Sequence, residues 1–260
     1  MKIGVCFKIV PDYETLLAEE WENPDQLDFT YAKKMYGCFD EAALEMGLRM
    51  ADSLKAAGQA AETVAVTCGA PEGAVSESLL RALFAAGYDD VVLLPACESF
   101  VSRNTAKSLA SYFTEHPADL IFTGRMVGPS DSGMVPAYLA GELGAELYPE
   151  AVSASWNDAE SRAEITCKEG GFLKQYAVSG GAVCTVGDAE AGYLRLFPLK
   201  ARMEAKKRVF SEYEPEKADF AGEEPILRME KTEAECSFLE YKSAEETAGF
   251  LLGVLKGEAE

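Results

Sequence analysis

Two hydrophobic patterns alternate along the first 145 residues. Short apolar runs typical of strands lie at 2–10, 63–68, 90–94 and 120–123. Between them, at about 40–57, 74–86, 103–115 and 132–143, apolar residues recur at helical spacing, as Leu44, Leu48, Ala51 and Leu54 do. Strand–helix alternation with short connections predicts an α/β fold: a Rossmann-like, mostly parallel sheet with helices on both faces.

The pattern changes after Pro149. Runs at 152–156, 163–166 and 172–178 have the alternation of antiparallel strands, with a hairpin turn at Glu169-Gly170-Gly171, and 182–186 returns to the buried type. Residues 211–235 are acidic and contain two prolines, which predicts an extended arm, and Ser243 with Glu246 opens a last helix at capping-box spacing. We therefore divide the chain into an α/β domain, 1–210, and a C-terminal arm with its helix, 211–260.

Charge narrows the classes of partner. The net charge of −20 argues against nucleic acid as a ligand, because phosphates favour basic surfaces. No apolar run is long enough to cross a bilayer, and the opening residues lack the layout of a signal peptide, so we expect a cytoplasmic protein. The seven cysteines include no Cys-x-x-Cys pair, and His116 is the only histidine, so reduced thiols are expected and zinc sites or histidine-based triads are hard to build.

The best candidate site is the stretch from Thr123 to Met134, where a strand ends, a loop follows and a helix begins. Ligands of parallel sheets bind beyond the carboxyl ends of the strands, and free N–H groups at a helix start favour phosphate. Arg125 would add a positive charge. The alternative is that Ser132 or Asp131 merely caps the helix, as serine and aspartate commonly do.

Two further junctions allow the same pair of interpretations. At 37–41, Asp40 could cap a helix or face a ligand, and the turn at Cys68 and Gly69 ends another strand. Ser179-Gly180-Gly181 is similar to the pyrophosphate loop of adenylating enzymes, but it comes late and runs into a strand, so we interpret it as a turn. The basic stretch 195–208 is either a solvated surface or a docking segment.

The ordered set of motifs resembles the beta subunit of electron-transfer flavoproteins over nearly the whole chain. The family's Val-Lys-x-Val-Pro-Asp is similar to 7–12, its Asn-Pro-Phe-Asp-Glu to 37–41, and its Thr-Gly-Lys-Gln loop to 123–136. Its Gly-Gly hairpin is similar to Gly170-Gly171, and its Met-Lys-Ala-Lys-Lys-Lys tail to 203–208.

The resemblance implies an adenine-nucleotide-binding fold that holds AMP or a second FAD and pairs with an alpha subunit, which holds the main FAD. It further implies that the chain's last segment packs on that partner, and that a dehydrogenase, for example one of acyl-CoA type, docks near Leu199. The implied cofactor-binding residues are Cys6, Phe39, Asp40, Cys68, Gly124, Arg125, Met126, Asp131, Ser132, Gly133, Met134 and Val135, and the implied docking residues are Leu199, Lys200, Arg202 and Met203.

Some positions depart from the family pattern. Gly37 and Cys38 replace an asparagine and a proline, and Pro129, Met134 and Pro136 replace an aspartate, a glutamine and a glycine. AMP, FAD and an empty site therefore stay open. No nucleophile–base pair stands out, so we expect no catalysis from the isolated chain. The alternatives are a nucleotide-handling enzyme, such as an ATP-cleaving ligase, and a nucleotide-free scaffold or binding protein.

Overall fold

A nine-stranded sheet forms the centre of the molecule. The computed structural model describes residues 1–15, 32–69, 74–96, 102–128, 132–215 and 243–256. The strand order is β11-β5-β4-β1-β6-β10-β7-β8-β9. The strands are β1 (Lys2–Cys6), β2 (Ile9–Pro11), β3 (Lys34–Tyr36), β4 (Glu62–Cys68), β5 (Asp90–Leu94), β6 (Leu120–Gly124), β7 (Glu146–Asn157), β8 (Arg162–Glu169), β9 (Phe172–Val178), β10 (Ala182–Val186) and β11 (Ser211–Glu212).

Six helices connect or follow these strands in the described ranges: α1 (Cys38–Ala56), α2 (Ala74–Ala86), α3 (Ser102–Glu115), α4 (Val135–Leu143), α5 (Leu199–Ala205) and α6 (Ala244–Lys256). Apolar residues of α1 and α2 pack on one face of the sheet, and those of α3 and α4 pack on the other. From β11 to β7 the strands run parallel, whereas β7, β8 and β9 are antiparallel. The predicted fold class is confirmed.

The chain changes direction across the sheet at β1. The first crossovers lead from β1 to β4 and then to β5, and the next one returns to place β6 on the other side of β1. Ligands in open parallel sheets bind at such a switch point, in the crevice beyond the carboxyl ends of the two strands. The crevice between β1 and β6 is therefore the place where the fold favours a ligand.

The predicted strand 2–10 is wrong in its second half. It divides into β1 and the separate β2, which pairs with β3 in a two-stranded antiparallel sheet. Pro11 is part of this pairing, because it occupies the last position of β2 and lies opposite Lys34. The segment 12–37, predicted to be irregular, thus contains a short strand.

Helix α4 begins three residues later than predicted. Gly133 has a left-handed φ of +63°, which interrupts helical geometry, and Pro136 stands in the first turn, where its missing N–H costs nothing.

Strand β7 begins earlier than the predicted 152, because its first residues extend the parallel sheet beside β10 before the strand joins the antiparallel part. The predicted cap of the last helix is confirmed, since the Glu246 N–H donates to Ser243 Oγ at 3.2 Å. No described helix is long and apolar enough to cross a membrane.

Close packing of α1 on the sheet yields a first prediction. A Cβ on Gly47 would lie 2.5 Å from a methyl of Val5, whereas one on Gly141 in α4 would meet nothing within 4 Å. We expect Gly47→Ala to lower the free energy of unfolding by about 1–3 kcal/mol. The control Gly141→Ala should raise it by about 0.5–1 kcal/mol, because alanine is the better helix former. Urea unfolding measures both, and equal effects of the two variants would contradict this packing.

Candidate nucleotide site

The side chain of Asp40 bridges the two strand ends at the switch point. One carboxylate oxygen accepts a hydrogen bond from the Lys8 N–H at 3.0 Å, just beyond β1, and the other accepts from the Gly124 N–H at 3.1 Å, at the end of β6. Asp40 lies in the first turn of α1 and is only 5% exposed. The buried carboxylate therefore fixes the start of α1 against both walls of the crevice.

Two glycines make room for this carboxylate. A Cβ on Gly124 would lie 2.3 Å from one oxygen of Asp40, and a Cβ on Gly37 would lie 2.6 Å from the other. No real Cβ makes such contacts, so glycine is required for this packing at both positions. The interpretation of Asp40 as the helix cap is wrong, since Gly37 occupies the cap position and makes no side-chain cap bond.

Burial raises the pKa of Asp40 from 3.8 to about 7. The two N–H bonds and the positive charge of Lys8 act in the opposite direction and favour the carboxylate. A group with a pKa near neutrality thus lies at the centre of the crevice.

Arg125 extends from the end of β6 across the start of α1. Its guanidinium stacks 4.2 Å from the ring centre of Phe39, a cation–π contact, and its Nη1 lies 3.2 Å and 3.3 Å from the two oxygens of Glu150. Its Nε is buried and has no hydrogen-bond partner among the described residues. The structure thus brings Phe39, Asp40, Gly124 and Arg125 together, as the sequence predicted.

The loop before α4 folds back on the end of β6. A Cβ on Gly133 would lie 3.0 Å from the Arg125 carbonyl oxygen, and the Ser132 hydroxyl lies 3.0 Å from that of Ser102 at the start of α3. Met134 occupies the cap position of α4 with no side-chain cap bond, so Ser132 is not the cap. Met126 is half-buried beside this turn. Asp131 lies outside the described residues, and the roles of these residues and of Val135 in binding stay predictions.

The two predicted cysteines lie at neighbouring strand ends. Cys6 is buried opposite Thr123, and burial raises the pKa of its thiol far above the usual range. Cys68 ends β4, and its thiol donates to the Pro95 carbonyl at 3.1 Å. Burial keeps the Cys6 thiol neutral, and contact of either cysteine with a ligand stays a prediction.

Two hydroxyls at the same rim fit a polar ligand. Thr67 Oγ1 and Thr123 Oγ1 are buried near the ends of β4 and β6, and neither has a hydrogen-bond partner among the described residues. Buried hydroxyls are normally paired, with protein, water or ligand. Like the cations Lys8 and Arg125, they lie at the end of the sheet where the fold favours a ligand.

Sequence reasoning missed three participants in this site. Lys8 was identified only as a strand end, yet its Nζ reaches the Gly128 carbonyl at 3.4 Å. Glu150 and Gly187 were not predicted, because they lie far along the chain, just outside the predicted strands 152–156 and 182–186. No local motif points to them, and only the alignment of β6 with β10 and β7 brings them beside Arg125.

Comparison with known proteins identifies the family of the chain. Residues 37–218 match the model of the electron transfer flavoprotein domain. The match covers 182 of the 260 residues, or 70% of the chain. The chain belongs to the electron transfer flavoprotein family.

Two curated relatives share part of this electron transfer flavoprotein domain. The putative electron transfer flavoprotein subunit YgcR of Escherichia coli (strain K12) is 29% identical over 150 residues, which cover 55% of each chain. The acryloyl-CoA reductase electron transfer subunit gamma of Anaerotignum propionicum is 31% identical over 149 residues, 55% of this chain and 52% of the relative. The chain therefore matches about half the length of these relatives.

A second surface of this electron transfer flavoprotein domain contains the four predicted docking residues. Leu199 and Met203 of α5 are 72% and 61% exposed, and Lys200 and Arg202 beside them are also exposed. Leu199, Arg202 and Met203 line a groove of about 850 Å³ between α5 and α2. Exposed apolar side chains rimmed by charged ones are typical of a protein-binding surface, and the docking role of these residues stays a prediction.

Buried charges fix this docking segment, residues 196–203, at both ends. Before it, Arg195 binds the buried carboxylate of Glu45 on α1 through its backbone N–H, Nε and Nη2, and it reaches Asp52 through Nη1. After it, Arg81 of α2 donates to the Lys206 and Arg208 carbonyls at 2.9 Å and 2.8 Å. These contacts fix the exposed residues between them against α1 and α2.

The raised pKa of Asp40 yields a prediction with a defined sign. Its folded-state pKa of about 7 lies above the unfolded value of 3.8, so its contribution to stability is lost as pH rises from about 4 to about 7. The amide side chain of the Asp40→Asn variant cannot titrate. The free energy of unfolding of wild type should therefore fall by about 2–4 kcal/mol relative to that variant across this window.

Urea unfolding at a series of pH values measures this difference. The matched control is Asp158→Asn at an exposed carboxylate, and its stability should run parallel to that of wild type at every pH. Parallel curves for wild type and Asp40→Asn would show that Asp40 titrates normally in the folded protein.

Proposed function

We propose that this chain is the beta-type subunit of a two-chain electron transfer flavoprotein. It holds AMP or a second FAD in the crevice between β1 and β6, beside an alpha-type partner that holds the main FAD. The assembly passes electrons between a dehydrogenase, for example one of acyl-CoA type, and an acceptor in the cytoplasm. The bridge that Asp40 makes across the switch point is the observation that carries the proposal, because it joins the two strand ends beyond which this fold binds ligands.

The flavin would supply the electron chemistry, and this chain would supply binding and position. Lys8 and Arg125 bring positive charge to a crevice in a chain of net charge −20, where a phosphate needs local donors. Thr67 and Thr123 offer hydroxyls, and Phe39 contributes an aromatic face next to Arg125. These groups bind and orient a nucleotide, and none of them forms a nucleophile–base pair.

The geometry disfavours the alternative of an ATP-cleaving enzyme. Its best sequence signal, Ser179-Gly180-Gly181, lies before β10, where the Ala182 N–H donates to the Asp119 carbonyl that precedes β6. That is the amino-terminal edge of the parallel sheet, opposite the crevice. The glycines have positive φ values of 111° and 65° and form a turn, as the sequence predicted.

The proposed contact with the alpha-type subunit uses the last helix. No residue of α6 is buried. Its leucines Leu251, Leu252 and Leu255 are 55%, 55% and 83% exposed. Exposed leucines at this spacing are typical of a helix that packs on a partner. We propose that the part of the arm 211–260 that follows β11 does so, because β11 itself pairs with β5, while the docking segment at Leu199 meets the dehydrogenase.

Ligand binding tests the proposal directly. Titration calorimetry of the purified chain should show AMP or FAD binding with one site per chain. Co-expression with an alpha-type electron transfer flavoprotein subunit should give a yellow complex whose flavin absorbance bleaches on reduction. A colourless complex that accepts no electrons, or a chain that binds neither AMP nor FAD, would contradict the proposal. Binding of the partner without any nucleotide would support a scaffold instead.

Opposite effects of two leucine variants test the assignment of the surfaces. Leu255→Glu on α6 should weaken the two-chain complex at least about 10-fold, because it places a charge in an apolar contact. Leu199→Glu should leave the complex and its flavin intact and raise the KM for electron delivery by the dehydrogenase. Analytical ultracentrifugation and flavin-reduction kinetics measure the two effects. Identical behaviour of the variants would contradict separate surfaces.

A further inference from the structure

Arg125 at the crevice is already paired with a carboxylate. Its Nη1 lies 3.2 Å from an oxygen of Glu150, which makes an ion pair. The two opposite charges leave this part of the rim with little net charge. A crevice intended for a highly charged ligand would instead present unpaired cations.

Glu150 is held in place by unusual backbone geometry. Its φ of +51° is a left-handed conformation that side chains other than glycine rarely adopt. Its N–H donates to Thr185 Oγ1 at 3.0 Å, and a Cβ on Gly187 would lie only 2.2 Å from its carboxylate. The conformation and the glycine together bring the carboxylate of Glu150 to Arg125.

Arg125 has unused capacity to bind an anion. Its Nη1 faces Glu150, its plane rests on Phe39, and its Nε is buried without a partner among the described residues. Arginine binds carboxylate and phosphate with the same fork of N–H donors, so Glu150 and a ligand phosphate compete for it.

We propose that Glu150 is a specificity-determining residue of the nucleotide site. By neutralising Arg125, it makes the crevice select nucleotides of low charge, such as AMP or FAD, over ADP and ATP. This inference rests on the proposed function and defines the ligand class of the same site. AMP has about two negative charges at neutral pH, whereas ADP has about three and ATP about four. The carboxylate of Glu150 repels each extra negative charge.

The test compares the affinities of AMP and ATP for wild type and variants by titration calorimetry, without divalent metal and at low ionic strength. Wild type should bind AMP at least about 5-fold more tightly than ATP. Glu150→Gln should reduce that ratio about 3- to 10-fold by tightening ATP binding, because it leaves the charge of Arg125 unpaired. The control Glu146→Gln, at the first residue of β7, should keep the wild-type ratio.

A second variant keeps the test independent of the folding of Glu150→Gln. Gly187→Ala retains Glu150 but pushes its carboxylate away from Arg125, so the AMP-to-ATP ratio should fall in the same direction. Unchanged ratios in both variants, with AMP binding retained, would overturn the role of Glu150 and leave the proposed function standing. Failure of every variant and of wild type to bind AMP or FAD would overturn the proposed function and this inference together.

Discussion

One buried carboxylate connects the three elements on which the candidate site depends. Asp40 lies in the first turn of α1. It accepts hydrogen bonds from the ends of β1 and β6, so it fixes the distance between the walls of the crevice. A buried carboxylate is costly unless it is hydrogen-bonded, and here two N–H groups and the charge of Lys8 offset part of that cost. Its raised pKa shows that burial still dominates. Gly37 and Gly124 are glycines because nothing larger fits beside it.

The same helix also connects the two surfaces of the domain. Phe39 and Asp40 lie at the crevice in the first turn of α1, and Glu45, one turn further on, holds Arg195 before the docking segment. A single rigid helix thus sets the position of the nucleotide site and of the proposed protein-binding surface. For a subunit that would serve as a carrier rather than a catalyst, fixed geometry between ligand and partner is the contribution the fold can make.

The local pattern of apolar residues was enough to predict the bounds of elements that bury a regular apolar face. The predicted bounds of β5, β10 and α2 agree with the structure to the residue, and membership of the electron transfer flavoprotein family agrees with the ordered motifs. The β2–β3 pair was missed because strands of three residues give almost no periodicity, and because Pro11 stands at the end of β2. The roles of Asp40 and Glu150 could not be predicted either. Asp40 meets Gly124 across 84 residues, and Glu150 reaches Arg125 only through strand order and a positive φ.

A crystal structure of the chain purified with its alpha-type partner, with the co-purified ligand retained, tests the central claim most directly. We expect an adenine nucleotide beyond the ends of β1 and β6, with its phosphate near Arg125 and the loop before α4, and Asp40 still bridging Lys8 and Gly124. A crevice closed by the chain's own side chains, or a nucleotide bound elsewhere on the chain, would contradict the account.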